Sequence, residues 1–155
     1  MNKKYILDTC IMLHIVRDSD VWKCVDLEFK PFTDPNEAFL AFVSVGEVLS
    51  LAKQLRWKEK KIRRLEEAIN KLTILEMTRE TISHYVEIDF YSQGKSEDQP
   101  LPPGMTARNM SKNDLWIAAT AVEVNAEIIT TDKDFSHLDK VFCKVHYVDI
   151  KNLPK

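Results

Sequence analysis

Four acids, Asp8, Glu47, Asp114 and Asp132, fall at corresponding places in a chain that alternates short apolar runs with longer segments of helical spacing. Asp8 ends one apolar run and Asp132 follows another. Glu47 falls in the first turn of the helix expected after the second run, and Asp114 starts the helix that precedes the fourth. In a doubly wound parallel sheet, strand C-termini and the N-termini of the helices after them share one edge, where ligands bind. Asp8, Glu47 and Asp132 therefore belong to one rim, and Asp114 joins them if the segment before it delivers its helix there. Carboxylates gathered at such a rim repel one another and raise each other's pKa unless a cation neutralises them. Oxygen-only ligands favour Mg²⁺ or Mn²⁺ over zinc. An ion of that kind lowers the pKa of water and stabilises charge developing on phosphorus, which suits phosphodiester hydrolysis.

Each acid taken singly also has a capping explanation. Ser44-Val45-Gly46-Glu47 has the outline of a capping box, and Ser111-Lys112-Asn113-Asp114 resembles it. Asp8 and Asp132 could be N-caps, where a carboxylate gains roughly 0.3 to 1 kcal/mol from the helix dipole. Capping suffices for one acid; it does not explain why four converge.

The elements that must position these acids follow from periodicity. Lys4 to Leu7 reads as a strand that passes at Asp8 into a helix from Thr9 to Val16. Ala38 to Val43 is a second strand, after which Val45, Val48, Leu49, Ala52 and Leu55 form the apolar stripe of a helix. A helix from Lys58 to Asn70, a strand from Leu72 to Glu76 and a helix from Arg79 towards Tyr91, capped by Thr78, come next. Ser92 to Asn109, with two glycines and three prolines, is a long loop, either a lid or a mobile surface insertion. A helix from Leu115 to Val124, a strand from Glu127 to Thr130, a short helix from Asp132 to Leu138 and a strand from Lys144 to Val148 complete the chain. The acidic stretch from Arg17 to Glu37 reads as a long connection. The fold class expected is α/β, three layers α/β/α around a central five-stranded parallel sheet. Residues 1–155 are expected to form one domain with an insertion at about 92–109.

A chain of 155 residues with 45% hydrophobic and 30% charged content can bury an ordinary core, so disorder and fibrous repeats are excluded. Lys3 and Lys4 before an apolar stretch mimic a signal peptide, but Asp8 interrupts it and no small-residue cleavage site follows. No run reaches the ~18 apolar residues of a membrane span. Cys10, Cys24 and Cys143 are odd in number and widely spaced, which points to neither a disulfide framework nor zinc, and to a reducing cytoplasm. The four histidines show no metal or triad spacing and are expected to be structural or surface residues.

The order and spacing of four segments resemble a PIN domain, the fold of VapC-type toxin ribonucleases. They are Ile6-Leu7-Asp8-Thr9, Ser44-Val45-Gly46-Glu47, Asn113-Asp114-Leu115-Trp116-Ile117-Ala118-Ala119-Thr120-Ala121 and Thr130-Thr131-Asp132-Lys133-Asp134-Phe135. The resemblance implies a Mg²⁺- or Mn²⁺-dependent endoribonuclease whose catalytic and metal-binding acids are Asp8, Glu47, Asp114 and Asp132, with Asp134 as an auxiliary ligand. It also implies a homodimer and a small antitoxin protein whose tail occupies the acidic groove. Thr9 and Asn113 stand beside these acids, with polar groups that could hold the carboxylates in place.

The formal charge of -2 hides a division. Lys53 to Arg64 carries seven cations against Glu59, net +6, which leaves -8 elsewhere. Lys60, Arg63 and Arg64 are candidates for tracking an RNA backbone, set against the plainer reading of a solvated helix face. Two other functions compete with the nuclease. A response-regulator-like switch would need paired acids after the first strand and a phosphate-accepting aspartate after the third, whereas Asp8 stands alone and the third run ends at Glu76. A noncatalytic PIN scaffold binding RNA or protein would use the same groove.

Overall fold

The computed structural model describes residues 2–154. Five strands, β1 (Lys4–Leu7), β2 (Glu37–Ala41), β3 (Thr73–Leu75), β4 (Glu127–Thr130) and β5 (Val145–Tyr147), form one sheet in the order β3-β2-β1-β4-β5. Every pairing is parallel, with Tyr5 opposite Ala38 on one side and Glu127 on the other. The helices are α1 (Thr9–Arg17), α2 (Asp20–Phe29), α3 (Phe42–Gln54), α4 (Glu59–Asn70), α5 (Arg79–Ser92) and α6 (Lys112–Val124), with a 3₁₀ helix at Lys133–Leu138. The expected three-layer α/β/α arrangement around a five-stranded parallel sheet is present.

Alternation along the central strands divides the core in two. Ile6, Phe39 and Ile128 face a layer containing Ile88 and Tyr91 of α5 and Leu115, Ile117, Ala118 and Ala121 of α6. Tyr5, Leu7, Leu40 and Ile129 face Ile11, Met12 and Val16 of α1, Val48 of α3 and Leu65 of α4. Burial on both faces explains why these strands read as continuous apolar runs. Ile6, Leu7, Ile128 and Ile129 have no exposed surface, and such side chains contribute roughly 1.5 to 3 kcal/mol each. β1 lies between β2 and β4, where the strand order reverses, so its C-terminal end opens onto the crevice of the sheet.

The structure departs from the expectations in three places. The stretch from Arg17 to Glu37 is not merely a connection: it contains α2, capped by the Ser19 hydroxyl at Trp22 N–H and packed through Val21 and Val25. Its i, i+4 apolar pair was masked by the surrounding acids. Second, α3 begins at Phe42, so Ser44 is not a cap. Ala41 occupies the N-cap without a side-chain hydrogen bond, Ser44 is buried inside the helix, and Glu47 lies in the second turn rather than the first. Third, α6 begins at Lys112 rather than Leu115, capped by Ser111 at Asp114 N–H, which puts Asp114 in the first turn.

The long loop runs between α5 and α6, and its two ends close on each other. Gly94 takes φ +72°, and a Cβ there would meet Ala107 Cβ at 3.2 Å. Arg108 N–H donates to Ser92 O at 2.8 Å, Met110 is buried, and Leu101 packs against the core. Compact loops with closed ends of this kind hold a shape of their own. Among the described residues no helix is long and apolar enough to cross a membrane.

Candidate metal centre

Asp8 is the single residue between β1 and α1, so the end of the central strand and the start of its helix fix it together. It is 5% exposed. Oδ1 accepts from Thr9 N–H at 2.7 Å; Oδ2 accepts from the Thr130 hydroxyl at 2.6 Å and from the Cys10 thiol at 3.3 Å. Burial pushes the Asp8 carboxyl above its ordinary value, the three hydrogen bonds oppose that, and the nearby charge of Asp132 adds to it. Burial and the adjacent Asp8 charge likewise push the Cys10 thiol up to about 11, so it stays protonated and serves as a donor rather than a metal ligand.

Asp132 follows β4 and caps the 3₁₀ helix, its Oδ1 accepting from Asp134 N–H at 2.9 Å. Its own N–H donates to the Thr130 hydroxyl at 2.9 Å. The Thr130 hydroxyl thus stands between Asp8 and Asp132 and orients both. Asp114 comes to the same edge from the other side of the fold. One carboxylate oxygen from each of Asp114, Asp132 and Asp134 lies within 4.8 Å of the other two. Burial, then the charge of Asp8, with smaller additions from Asp132 and Asp134, pushes the Asp114 carboxyl up to about 7 against the opposing Ser111 hydrogen bond.

Asp8 and Glu47 are both outside that group of three, although Asp8 is near enough for its charge to act on Asp114. Glu47 Oε1 accepts from the Thr9 hydroxyl at 2.8 Å, and the same hydroxyl lies 2.9 Å from buried Ser44 Oγ. Thr9 therefore joins Asp8 through its backbone and Glu47 through its side chain. Asn113 makes no side-chain hydrogen bond among the described residues, so nothing ties it to a carboxylate. Thr130 was assigned no role from sequence, and Ser44 only that of a cap, not of a partner to Thr9. A threonine two residues before Asp132 was the available signal for the first; the second needed the contact between α1 and α3.

The donor set fits a hard divalent cation. It consists of oxygens alone, three of them already gathered, and a bound cation would offset both the burial of Asp114 and the neighbouring charges that raise its carboxyl. Asp134 is exposed and Asp114 and Asp132 are half-buried, so the group faces solvent. A cleft of about 450 Å³ between α1, α2 and α4, lined by residues such as Trp22, Phe32, Arg64 and Glu67, contains none of the five acids. An open acidic edge suits a polymer passing across it better than an enclosed small molecule.

Lys60, Arg63 and Arg64 lie on α4, away from this edge. Arg63 pairs with Glu59 at 2.8 Å, and Arg64 donates to Val16 O at 3.2 Å, in the last turn of α1. Asp8 precedes the first turn of that helix, so about 12 Å of axial rise separates the two ends.

The model of the PIN domain family matches residues 5–141. No curated protein matches the chain. Similar solved structures include VapBC2 from Rickettsia felis bound to a DNA fragment from its promoter, at 19% identity and TM-score 0.70, covering 94% of this chain and 99% of that one. VapBC-1 from nontypeable Haemophilus influenzae is similar at 21% identity and TM-score 0.65, over 93% and 97% of the two chains. VapBC-5 from Mycobacterium tuberculosis, a member of the VapBC family of toxin–antitoxin systems, is similar at 18% identity and TM-score 0.59, over 94% and 98%.

Proposed function

The chain belongs to the PIN domain family, and from that premise we propose that it is a Mg²⁺- or Mn²⁺-dependent endoribonuclease, the toxin of a toxin–antitoxin pair. The observation that carries this reading is the gathering of Asp114, Asp132 and Asp134 beside buried Asp8 at the point where the strand order reverses. Asp114, Asp132 and Asp134 would hold the cation, with Asp8 and Glu47 completing the acidic edge. A divalent ion so held supplies a water of lowered pKa and stabilises the charge that develops on phosphorus. Thr130 would hold the Asp8 carboxylate and the Asp132 backbone, and Thr9 the Glu47 carboxylate, which limits their reorganisation when substrate arrives. Residues 1–155 then act as one nuclease unit, with the loop between α5 and α6 as an insertion beside Asp114.

Partner readings rest on the same premise. The similar structures are of VapBC proteins, one described as a toxin–antitoxin system, which supports a small antitoxin covering the acidic edge. Ile82, Val86 and Phe90 recur at i, i+4 and i+8 on the outer side of α5, each about half exposed, which supports a homodimer. Lys60, Arg63 and Arg64 would contact RNA flanking the cut rather than at it. Three free cysteines fit a reducing cytoplasm. The response-regulator alternative has no support, because β3 ends at Leu75 and only Glu76 follows where a phosphate-accepting aspartate would stand.

The test is cleavage of a mixed RNA substrate by purified protein with and without Mg²⁺ or Mn²⁺. Asp8→Asn and Asp114→Asn should each abolish divalent-dependent cleavage while preserving the circular dichroism spectrum; cleavage retained in both would refute the assignment.

A further inference from the structure

His137 was expected to be structural or superficial, but its surroundings tie it to the acidic edge. It lies on the 3₁₀ helix one turn beyond Asp134 and is fully buried. Its Nε2 is 2.7 Å from Ser92 Oγ, at the end of α5. Its ring is parallel to that of Tyr91, 3° apart in plane with centroids 5.9 Å apart, and the Tyr91 hydroxyl donates to its backbone carbonyl at 2.9 Å. Nδ1 is buried, and its contact with the Asp134 backbone falls short of a well-formed hydrogen bond. A polar ring is an expensive filler for an apolar site, where a phenylalanine would leave no buried nitrogen unsatisfied.

Ser92 is the other half of the arrangement. Its hydroxyl also contacts Met110 Sδ at 3.3 Å, and its carbonyl accepts from Arg108 N–H at 2.8 Å. The end of α5, the last residues of the long loop and the 3₁₀ helix therefore meet at one buried point. Met110 leads directly to Ser111, which caps α6 at Asp114 N–H. His137 leads back by one turn to Asp134, whose N–H is held by Asp132. The segment leading to Asp114 and the segment carrying Asp132 and Asp134 therefore both bond Ser92.

We infer that His137 is a positioning residue for the metal centre, its buried hydrogen bond to Ser92 clamping the Asp114 segment to the Asp132–Asp134 segment. This rests on the proposed metal-binding role of those acids. The bond spans 45 positions in sequence and His137 is fully buried, so the imidazole touches neither ion nor substrate. It sets the separation of carboxylates that would otherwise drift apart under their mutual repulsion.

The experiment uses the full chain and Mn²⁺ alone, with free ion followed by electron paramagnetic resonance, and amide hydrogen exchange on the metal-free protein. Ser92→Ala and His137→Phe each remove the bond, the second keeping a ring over Tyr91. Each should weaken Mn²⁺ binding about 10-fold or more, the range found when partners of metal ligands are lost. The double variant should be no weaker than the worse single one, and His137→Gln, whose amide can reach Ser92, should restore binding to within about threefold. Exchange should quicken together at residues 108–114 and 132–138 and not in β1 or α1. If His137→Phe does not fold, Ser92→Ala decides. Faster exchange with Mn²⁺ affinity unchanged, or no change in either, overturns the inference. If wild type binds no Mn²⁺ that Asp114→Asn removes, the metal reading has failed; the clamp then stands or falls on whether the two segments loosen together.

Discussion

Replacing Asp114 by asparagine should make the metal-free protein more stable, although the residue belongs to the proposed centre. Burial first, then the charge of Asp8, raises its carboxyl from 3.8 to about 7 in the folded chain. At 1.36 kcal/mol per pH unit, that displacement corresponds to ~4 kcal/mol against the charged form. Asp114 is open to solvent on one side, and screening there removes about half, leaving ~2 kcal/mol. The folded state binds the proton more tightly than the unfolded chain. The penalty is therefore fully present above pH 7, shrinks as pH falls through the folded value, and is gone below the unfolded value of 3.8. Urea denaturation followed by tryptophan fluorescence, after treatment with a chelator, reads this directly. At pH 8 the asparagine variant should exceed wild type by ~2 kcal/mol, or about 4–8 °C in melting temperature for a domain of this size. At pH 4 the difference should fall to ~0.5 kcal/mol or less, because both side chains are then mostly neutral. Millimolar Mn²⁺ at pH 8 should stabilise wild type and not the variant, reversing their order. A variant no more stable than wild type at pH 8, or an advantage that does not depend on pH, refutes the reasoning.

Thr130→Val keeps the shape of the side chain but removes the hydroxyl shared by Asp8 Oδ2 and Asp132 N–H. It should cost about 2–3 kcal/mol at pH 8, and less as pH falls, because losing a donor to the ionised form raises the Asp8 carboxyl further and protonation then relieves the loss; an equal cost at pH 8 and pH 5 would count against that account. Replacing Lys60 and Arg63 by alanine should lower the slope of log affinity for single-stranded RNA against log salt by about 1.4, at roughly 0.7 per phosphate contact. An unchanged slope would leave α4 a solvated face. Adding Arg64→Ala should also reduce stability, since Val16 O loses its donor.

What the sequence disclosed and what it concealed divide along local and non-local causes. The strands before Asp8 and Asp132 are apolar runs buried on both faces, and the acids follow within one or two residues of where each run ends, so their places at the sheet edge were legible. The start of α3 was not. Ala41-Phe42-Val43 continues the apolar composition of β2, and no side-chain cap marks the change of conformation; β2 stops where its pairing with β3 runs out, at Ala41 opposite Leu75. Ser44 looked like a cap because its local pattern fits one, yet its hydroxyl meets Thr9 of a different helix. The membership of Asp134 in the acidic group depended on a turn whose geometry comes from Asp132 accepting its N–H. The burial of His137 could not be read locally, because its partners are on α5 and in the loop before α6.

The hydrogen bond from Thr130 to Asp8 spans 122 positions, and the sheet places β1, made before the other four strands, between β2 and β4. A ribosome adding about 5–20 residues per second needs roughly 6 to 25 s to pass from Asp8 to Asp134. Throughout that interval the nascent chain holds Asp8 without Thr130, Asp132 or Asp134. Any product truncated before β4 lacks the same groups. On the proposed reading, the threading order of the sheet leaves the metal centre incomplete until β4 and the turn after it have been made.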